Sequence, residues 1–249
     1  MPRYFMRLSY RGEPFHGWQT QPGAVTVQQT VEEALGRVLR RPVPIVGAGR
    51  TDAGVNARLM VAHFDTPGPL GMEPVRLVGA LNAMTGRDIA IHSVEEVAPD
   101  LHARFSATSR TYHYYALPGT SAFLYPLCWK APANLDYEAM NRAAALLLET
   151  EDFTSFAKLH SDAKTNICHV TRAEWVSWHT FEGTEGHVFI ITADRFLRNM
   201  VRAVVGTLVE VGRGKLTVDG FARVIARRDR CAAGTSMPPQ ALYLWDVTY

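Results

Sequence analysis

Asp52 lies in Gly47-Ala48-Gly49-Arg50-Thr51-Asp52-Ala53-Gly54, a carboxylate among three glycines with an arginine two residues before it. Glycine at this density lets a chain turn sharply or lets a ligand approach its backbone. Gly47-x-Gly49 invites a dinucleotide-binding reading, but the third glycine of that fingerprint would fall on Asp52, which would set a negative charge against the pyrophosphate. That reading fails on charge. Two readings remain open on composition alone: an Asx-turn in which Asp52 bonds its own backbone, or an ionised carboxylate held ready as a nucleophile beside a cation.

Other chemistry-bearing residues are sparser. Arg195, Arg198 and Arg202 fall at helical spacing and read either as a solvated face or as a cluster that could serve a carboxylate or a phosphate. Tyr112 is one aromatic of the alternating run Arg110-Thr111-Tyr112-His113-Tyr114-Tyr115. Cys128, Cys168 and Cys231 form no Cys-x-x-Cys pair, which argues against a disulfide framework or a thiolate metal site, and His160, Cys168 and His169 lack metal-ligand spacing. Asp65 and Asp88 could supply the second carboxylate of a glycosidase, but no motif pairs them with Asp52.

These residues need a scaffold, and the hydrophobic pattern supplies one. Tyr4, Met6, Leu8 and Tyr10 alternate with Arg3, Arg7 and Arg11, giving a strand with a basic face. A Gly- and Pro-rich loop follows from Gly12 to Pro22, with Phe15, Trp18, Gln19 and Gln21 in it. Thr26 and Gln29 are placed as in a capping box, and Val27, Val31, Leu35, Val38 and Leu39 continue as an amphipathic helix ending near Arg41-Pro42. A short strand over 43–48, strand over 61–64, helix over 75–84 and strand over 89–97 complete a β-α-β-β-α-β order, the mark of a ferredoxin-like or split βαβ layer. A second cycle has strand over 110–115, helix over 135–148, strands over 169–178 and 187–192, helices over 197–211 and 218–227, and a last strand over 242–247. The chain therefore divides into two α/β domains, 1–106 and 107–249, joined without a Pro- or Ser-rich linker and so expected to share a sheet or a tight interface.

The net charge is +2, which excludes a protein that coats nucleic acid by bulk electrostatics and leaves any such role to local arrangement. Only four of the 26 basic residues are lysine; arginine's planar fork suits phosphates and base edges. No apolar run approaches the roughly 20 residues of a membrane span. Met1-Pro2-Arg3-Tyr4-Phe5 runs straight into the first strand, without a secretory signal, so a cytoplasmic protein without membrane contact is expected.

Gly49-Arg50-Thr51-Asp52-Ala53-Gly54-Val55 resembles the catalytic motif of the TruA family of tRNA pseudouridine synthases. Tyr10-x-Gly12-x-x-Phe15-x-Gly17-Trp18-Gln19-x-Gln21 resembles the family's N-terminal signature, and Thr26-Val27-Gln28 the start of its first helix. Ala62-His63-Phe64-Asp65, Ala80-Leu81-Asn82, His102-Ala103-Arg104-Phe105, Arg110-x-Tyr112-x-Tyr114, Asp152-Phe153-x-x-Phe156 and Phe196-Leu197-Arg198-Asn199-Met200-Val201-Arg202 follow in family order, so the resemblance spans nearly the whole chain. Departures are Asn56 for a usual histidine, Met60 for glutamine, and Glu149 and Glu151 for glycine and histidine.

The resemblance implies an α/β (α+β) pseudouridine synthase fold of two ferredoxin-like halves with a cleft between them. It implies isomerisation of uridine to pseudouridine at positions 38, 39 and 40 of the tRNA anticodon stem-loop, by a homodimer, without metal or small-molecule cofactor. Asp52 would be the nucleophile, Arg202 the arginine that keeps it ionised, and Tyr112 the aromatic that stacks on the flipped base and handles the C5 proton. Arg50, Thr51, Arg3, Arg7, Trp18, Gln19, Arg110 and Arg198 would contact RNA. A non-catalytic RNA-binding module of two ferredoxin-like sheets is the alternative from another class.

Overall fold

The computed structural model describes residues 1–158 and 164–249; His160 lies outside them. The described residues form nine strands and five α-helices in two compact units, 1–108 with 243–249, and 109–242.

In the first unit, strand β1 (Arg3–Tyr10) lies between β3 (Asn56–Asp65) and β4 (Ile89–Val97), antiparallel to both. The free edge of β3 takes two partners. Strand β2 (Val46–Gly47) pairs with His63 and Ala62, and the last strand, β9 (Leu242–Thr248), runs parallel beside Asn56 and Ala57. The order β4-β1-β3-β2, all antiparallel, is that of a split βαβ layer. Tyr4, Met6, Leu8 and Tyr10 are buried, as are Val27, Val31, Ala34 and Leu35 of helix α1 (Val27–Leu39) and Leu77 and Leu81 of α2 (Pro74–Met84). Burying such side chains supplies the driving force for the layer, about 1.5–3 kcal/mol for each large one.

Local departures from the sequence pattern have local causes. Thr26 does cap α1, its hydroxyl accepting from the Gln29 N–H at 3.3 Å, but the Gln29 side chain turns away to Glu33, so the reciprocal half of the capping box is missing. The strand expected over 43–48 shrinks to Val46–Gly47 because the Ile45 N–H and C=O bond to the side chains of Glu32 and Gln28 instead of a neighbouring strand. The first unit ends at Thr108 and reclaims the final residues, whereas the sequence places its boundary at 106 and leaves the last strand in the second domain. Pairing of β9 with β3, and the Thr108 N–H bonded to the Thr248 C=O at 2.8 Å, tie that strand back.

In the second unit β8 (Glu185–Ala193) is flanked, antiparallel, by β5 (Ser109–Pro118) and β7 (Val170–His179), and a short parallel strand β6 (Trp129–Ala131), unforeseen in the sequence, extends β5. Helices α3 (Tyr137–Ala145), α4 (Met200–Gly212) and α5 (Val218–Arg227) complete it. Helix α4 starts three residues later than its periodicity suggests because Asn199 adopts φ 65°, a left-handed conformation that cannot continue a helix. Arg195 and Arg198 therefore precede the helix and share no helical face with Arg202. No helix among the described residues is long and apolar enough to cross a membrane.

Candidate active site

The Asp52 loop is braced from beneath by the Gly12–Pro22 loop. The Trp18 N–H donates to the Thr51 C=O at 3.2 Å and the Gly54 N–H to the Phe15 C=O at 3.4 Å, while the Val55 N–H closes a turn on the Asp52 main-chain carbonyl at 3.1 Å. Gly17 is required twice over: its φ is +90°, and a Cβ there would lie 2.6 Å from the Thr51 carbonyl oxygen. The Tyr10 hydroxyl, buried at the end of β1, is 2.8 Å from Thr51 Oγ1. Asn56, one of the departures from the family pattern, is buried and its Oδ1 accepts from the Gly12 N–H at 2.8 Å, tying the two loops again. Asp52 itself is half-buried at the top of this frame.

Two glycines of the motif have different reasons. A Cβ on Gly47 would come within 2.6–2.8 Å of the Trp18 indole, whereas one on Gly49 would meet nothing within 4 Å. Gly47 thus answers to packing, and Gly49 leaves open space next to Arg50. The same contact corrects one expectation: Trp18 is 2% exposed and fills the space under the loop, so its ring is core and not a surface for RNA. Met60, the second departure, is likewise fully buried.

Arg50 is held through a relay that the sequence did not reveal. Its Nε donates to Gln19 Oε1 at 3.2 Å, and Gln19 Nε2 donates to Gln28 Oε1 at 2.8 Å. Gln28 is saturated: Oε1 also accepts from the Thr20 N–H at 3.1 Å, and Nε2 donates to Glu32 Oε1 at 3.0 Å and to the Ile45 C=O at 3.1 Å. One amide on α1 therefore joins the bracing loop, the helix and the segment leading into Asp52. Gln28→Met keeps the length and removes every one of these bonds. A net bond is worth about 1 kcal/mol and an orphaned buried partner costs about 1–3, so the variant should lose about 2–3 kcal/mol in urea unfolding with an unchanged m-value. In a cycle with Gln19→Ala the two losses should be coupled by at least about 0.5 kcal/mol; additive losses would refute the relay.

The basic face of β1 proves to be neutralised across the sheet. Arg3 forms a bidentate pair with Asp65, both bonds 2.8 Å, and donates to the Leu101 C=O at 2.9 Å. Arg7 pairs with Glu95, and Arg11 with Asp88 at 2.8 Å. Arg3 and Arg7, expected on RNA, instead tie β1 to its neighbours. The Arg3 guanidinium, chiefly by its hydrogen bonds, holds the Asp65 carboxyl below its usual value. Beside them His63 is buried, and its Nδ1 accepts the Ala103 N–H at 3.1 Å, which requires a neutral ring. Burial first, then the charge of Arg3, pushes its pKa down to about 4 from 6.5. The unfolded chain takes a proton on His63 below pH 6.5 and the folded chain refuses it until about 4, so stability falls as pH falls through that window. The loss should be about 3 kcal/mol between pH 6.5 and 4. His63→Asn, which can still accept the Ala103 N–H, should flatten that part of a denaturation-versus-pH curve; an unchanged slope would mean that His63 does not carry it.

In the second unit Tyr112 lies on β5 opposite Ile191, half-exposed, with its ring edge-on to Phe196 at 5.0 Å. Arg110 donates to the Asp194 C=O at 2.9 Å, and Arg198 is exposed before α4. Arg202 sits in the first turn of α4, its Nε donating to the Met237 C=O at 2.6 Å while its own C=O accepts the Met237 N–H at 3.1 Å. Its charge also bears on Tyr114, whose hydroxyl donates to the Pro238 C=O at 3.2 Å; burial pushes that hydroxyl well above its usual pKa and Arg202 opposes the shift. Cys168 is buried, its thiol pushed up to about 12, and so it is no thiolate at neutral pH. Asp52, Arg50, Thr51 and Gln19 are thus assembled in the first unit, and Tyr112, Arg110, Arg198 and Arg202 belong to the second.

Comparison with known proteins matches residues 143–249 to the family described as tRNA pseudouridine synthase. The chain is 57% identical over 249 residues to tRNA pseudouridine synthase A of Parabacteroides distasonis, covering 100% of this chain and 96% of that one. It is 53% identical to the protein of the same name from Bacteroides thetaiotaomicron, with 100% and 91% covered, and 41% identical to that from Chlorobaculum tepidum, with 98% and 96% covered. Likeness at this level along the full length makes the chain a pseudouridine synthase, and so an isomerase. Within that class it belongs to the tRNA pseudouridine synthase A family.

Proposed function

We propose that this enzyme converts uridine to pseudouridine at positions 38, 39 and 40 of the tRNA anticodon stem-loop, with Asp52 as nucleophile on a base flipped out of its stack. The observation that carries the reading is the frame around Asp52: a half-buried carboxylate on a turn fixed by hydrogen bonds from Trp18, Gly54 and Val55, next to an arginine steadied by Gln19. Preorganisation of this kind is what a carboxylate nucleophile needs.

The reaction breaks the N1–C1′ bond, turns the uracil and joins C5 to C1′; the C5 proton leaves and N1 gains one. No electrons are exchanged with a cofactor and no water is consumed. Arg202 is the basic partner of Asp52, Tyr112 stacks on the extruded uracil and takes part in removing the C5 proton, and Arg50 fills the gap left by the base or holds a phosphate. Gln19, Arg110 and Arg198 contact the RNA, whereas Thr51, expected there from the sequence, is buried with its Oγ1 on the Tyr10 hydroxyl and holds the turn. Extrusion costs a few kcal/mol and is least costly near a loop. The enzyme works in the cytoplasm as a homodimer.

Release of tritium from [5-³H]uridine-labelled tRNA transcripts tests the reading. Release to solvent without free uracil is the expected result, with transcripts lacking uridine at positions 38–40 inert. Free uracil would indicate a glycosidase, and binding without release would leave only an RNA-binding module.

A further inference from the structure

The turn from Leu101 to Ser106 is held by more side chains than its size requires. The Ser106 N–H donates to the His102 C=O and Ser106 Oγ accepts from the His102 N–H, each at 2.9 Å. His102 Nδ1 faces the Arg104 and Phe105 N–H groups at 3.1 and 3.2 Å, and His63 Nδ1 accepts from Ala103. From outside the turn, Arg3 donates to the Leu101 C=O, and the Tyr249 hydroxyl donates to the Ala103 C=O at 2.7 Å. Five side chains, those of Arg3, His63, His102, Ser106 and Tyr249, fix a turn whose tip is Phe105.

Phe105 is nevertheless 77% exposed. Its ring leans on His102, centroids 4.4 Å apart, His102 in turn meets His63 edge-on at 4.5 Å, and the Arg104 guanidinium lies 5.5 Å from the Phe105 centroid. An exposed ring on a floppy loop is unremarkable; one presented on a fixed mount beside a cation is a recognition element. At this turn Phe105 is 77% exposed against 37% for Tyr249, and one projecting ring suits a single planar ligand better than a protein partner, whose patch would span about 800 Å². A nucleobase with its phosphate one sugar away matches both parts, the ring by stacking and Arg104 by charge.

We infer that Phe105 is a stacking platform for an unpaired nucleobase of the bound RNA, with Arg104 on the adjoining phosphate and Arg3, His63, His102, Ser106 and Tyr249 as its mount. The inference rests on the tRNA reading and deepens it: it gives the Asp52-bearing unit a contact with single-stranded RNA apart from the catalytic turn. It also gives the His63 and His102 motifs, and the Arg3–Asp65 pair, a purpose that catalysis does not.

The test is the dissociation constant of a labelled, unmodified tRNA transcript, by anisotropy across a salt series. Loss of one base stack weakens binding roughly 5- to 150-fold. Phe105→Ala and Phe105→Leu should both fall in that range, since leucine is apolar but has no π-face, and Phe105→Trp should bind at least as tightly as the parent. Arg104→Ala should lower the salt slope by about one phosphate contact, and Phe105→Ala should leave the slope unchanged. Parent-like affinity in Phe105→Leu would overturn the platform, as would a lower mass of Phe105→Ala in light scattering, which would place the ring against a second copy of the chain. Tritium release by the parent protein separates the two layers: release together with unaltered affinity in Phe105→Ala removes the platform and leaves the tRNA reading standing, whereas a parent that neither binds nor turns over tRNA removes both.

Discussion

Asp52→Asn is expected to abolish tritium release while leaving tRNA affinity within a few fold of the parent. Asparagine matches aspartate in shape, so the turn closed by the Val55 N–H on the residue-52 carbonyl, and the bonds from Trp18 and Gly54 that brace its neighbours, should persist. What disappears is the negative charge, and with it the electron pair that attacks. Removing a nucleophile outright typically lowers turnover by about 10⁴-fold or more, roughly 5 kcal/mol or more of lost transition-state stabilisation. Affinity should hold because phosphate contacts dominate RNA binding and one buried-edge carboxylate contributes little to them. Single-turnover tritium release with enzyme in excess checks the first half, and anisotropy the second. Turnover by the pure asparagine variant within tenfold of the parent would remove Asp52 from the nucleophile's role; a tRNA affinity lower by orders of magnitude would give it a binding role instead.

Much of this architecture is legible in the sequence where the cause is local. The alternation of Tyr4, Met6, Leu8 and Tyr10 fixes β1, and Thr26 with the apolar spacing after it fixes α1. Features decided by distant residues were not legible. The arginines of β1 look basic when read along the chain, yet Asp65 stands 62 positions from Arg3 and Glu95 stands 88 from Arg7, and only the register of the sheet brings each acid to its arginine. Strand β9 carries no local sign that it belongs with the first unit, because a parallel partner contributed from the far end of the chain leaves no turn signal.

The site was legible in part for the same reason. The glycines around Asp52 mark a tight loop, but which glycine answers to packing depends on Trp18, and the indole's position beneath Gly47 is a tertiary fact. Gln28 stands in the sequence within the family-like Thr26-Val27-Gln28 at the start of a helix, with nothing to say what it binds. Its role follows only from where Gln19, Glu32 and Ile45 converge on it. A short amide among glutamines gives no periodic signal, so hydrogen-bond hubs of this kind are found by counting partners in the structure.

Tyr112→Phe should have the second largest effect: turnover lower by about 10²- to 10⁴-fold, the usual worth of a positioned acid or base, with tRNA affinity unchanged. The structure allows this separation. The ring is seated by β5 pairing opposite Ile191 and by its edge-on contact with Phe196, and phenylalanine keeps both. Stacking on a flipped uracil depends on the same ring face and should also survive. Only the hydroxyl is lost. If that hydroxyl helps carry the C5 proton away, the loss should appear in single-turnover tritium release and be absent from equilibrium binding. Tyr112→Leu should then weaken binding as well, since it removes the π-face too. A Tyr112→Phe enzyme that releases tritium at the parent rate would return the residue to a packing and stacking role, and proton removal would have to be assigned to another group or to solvent.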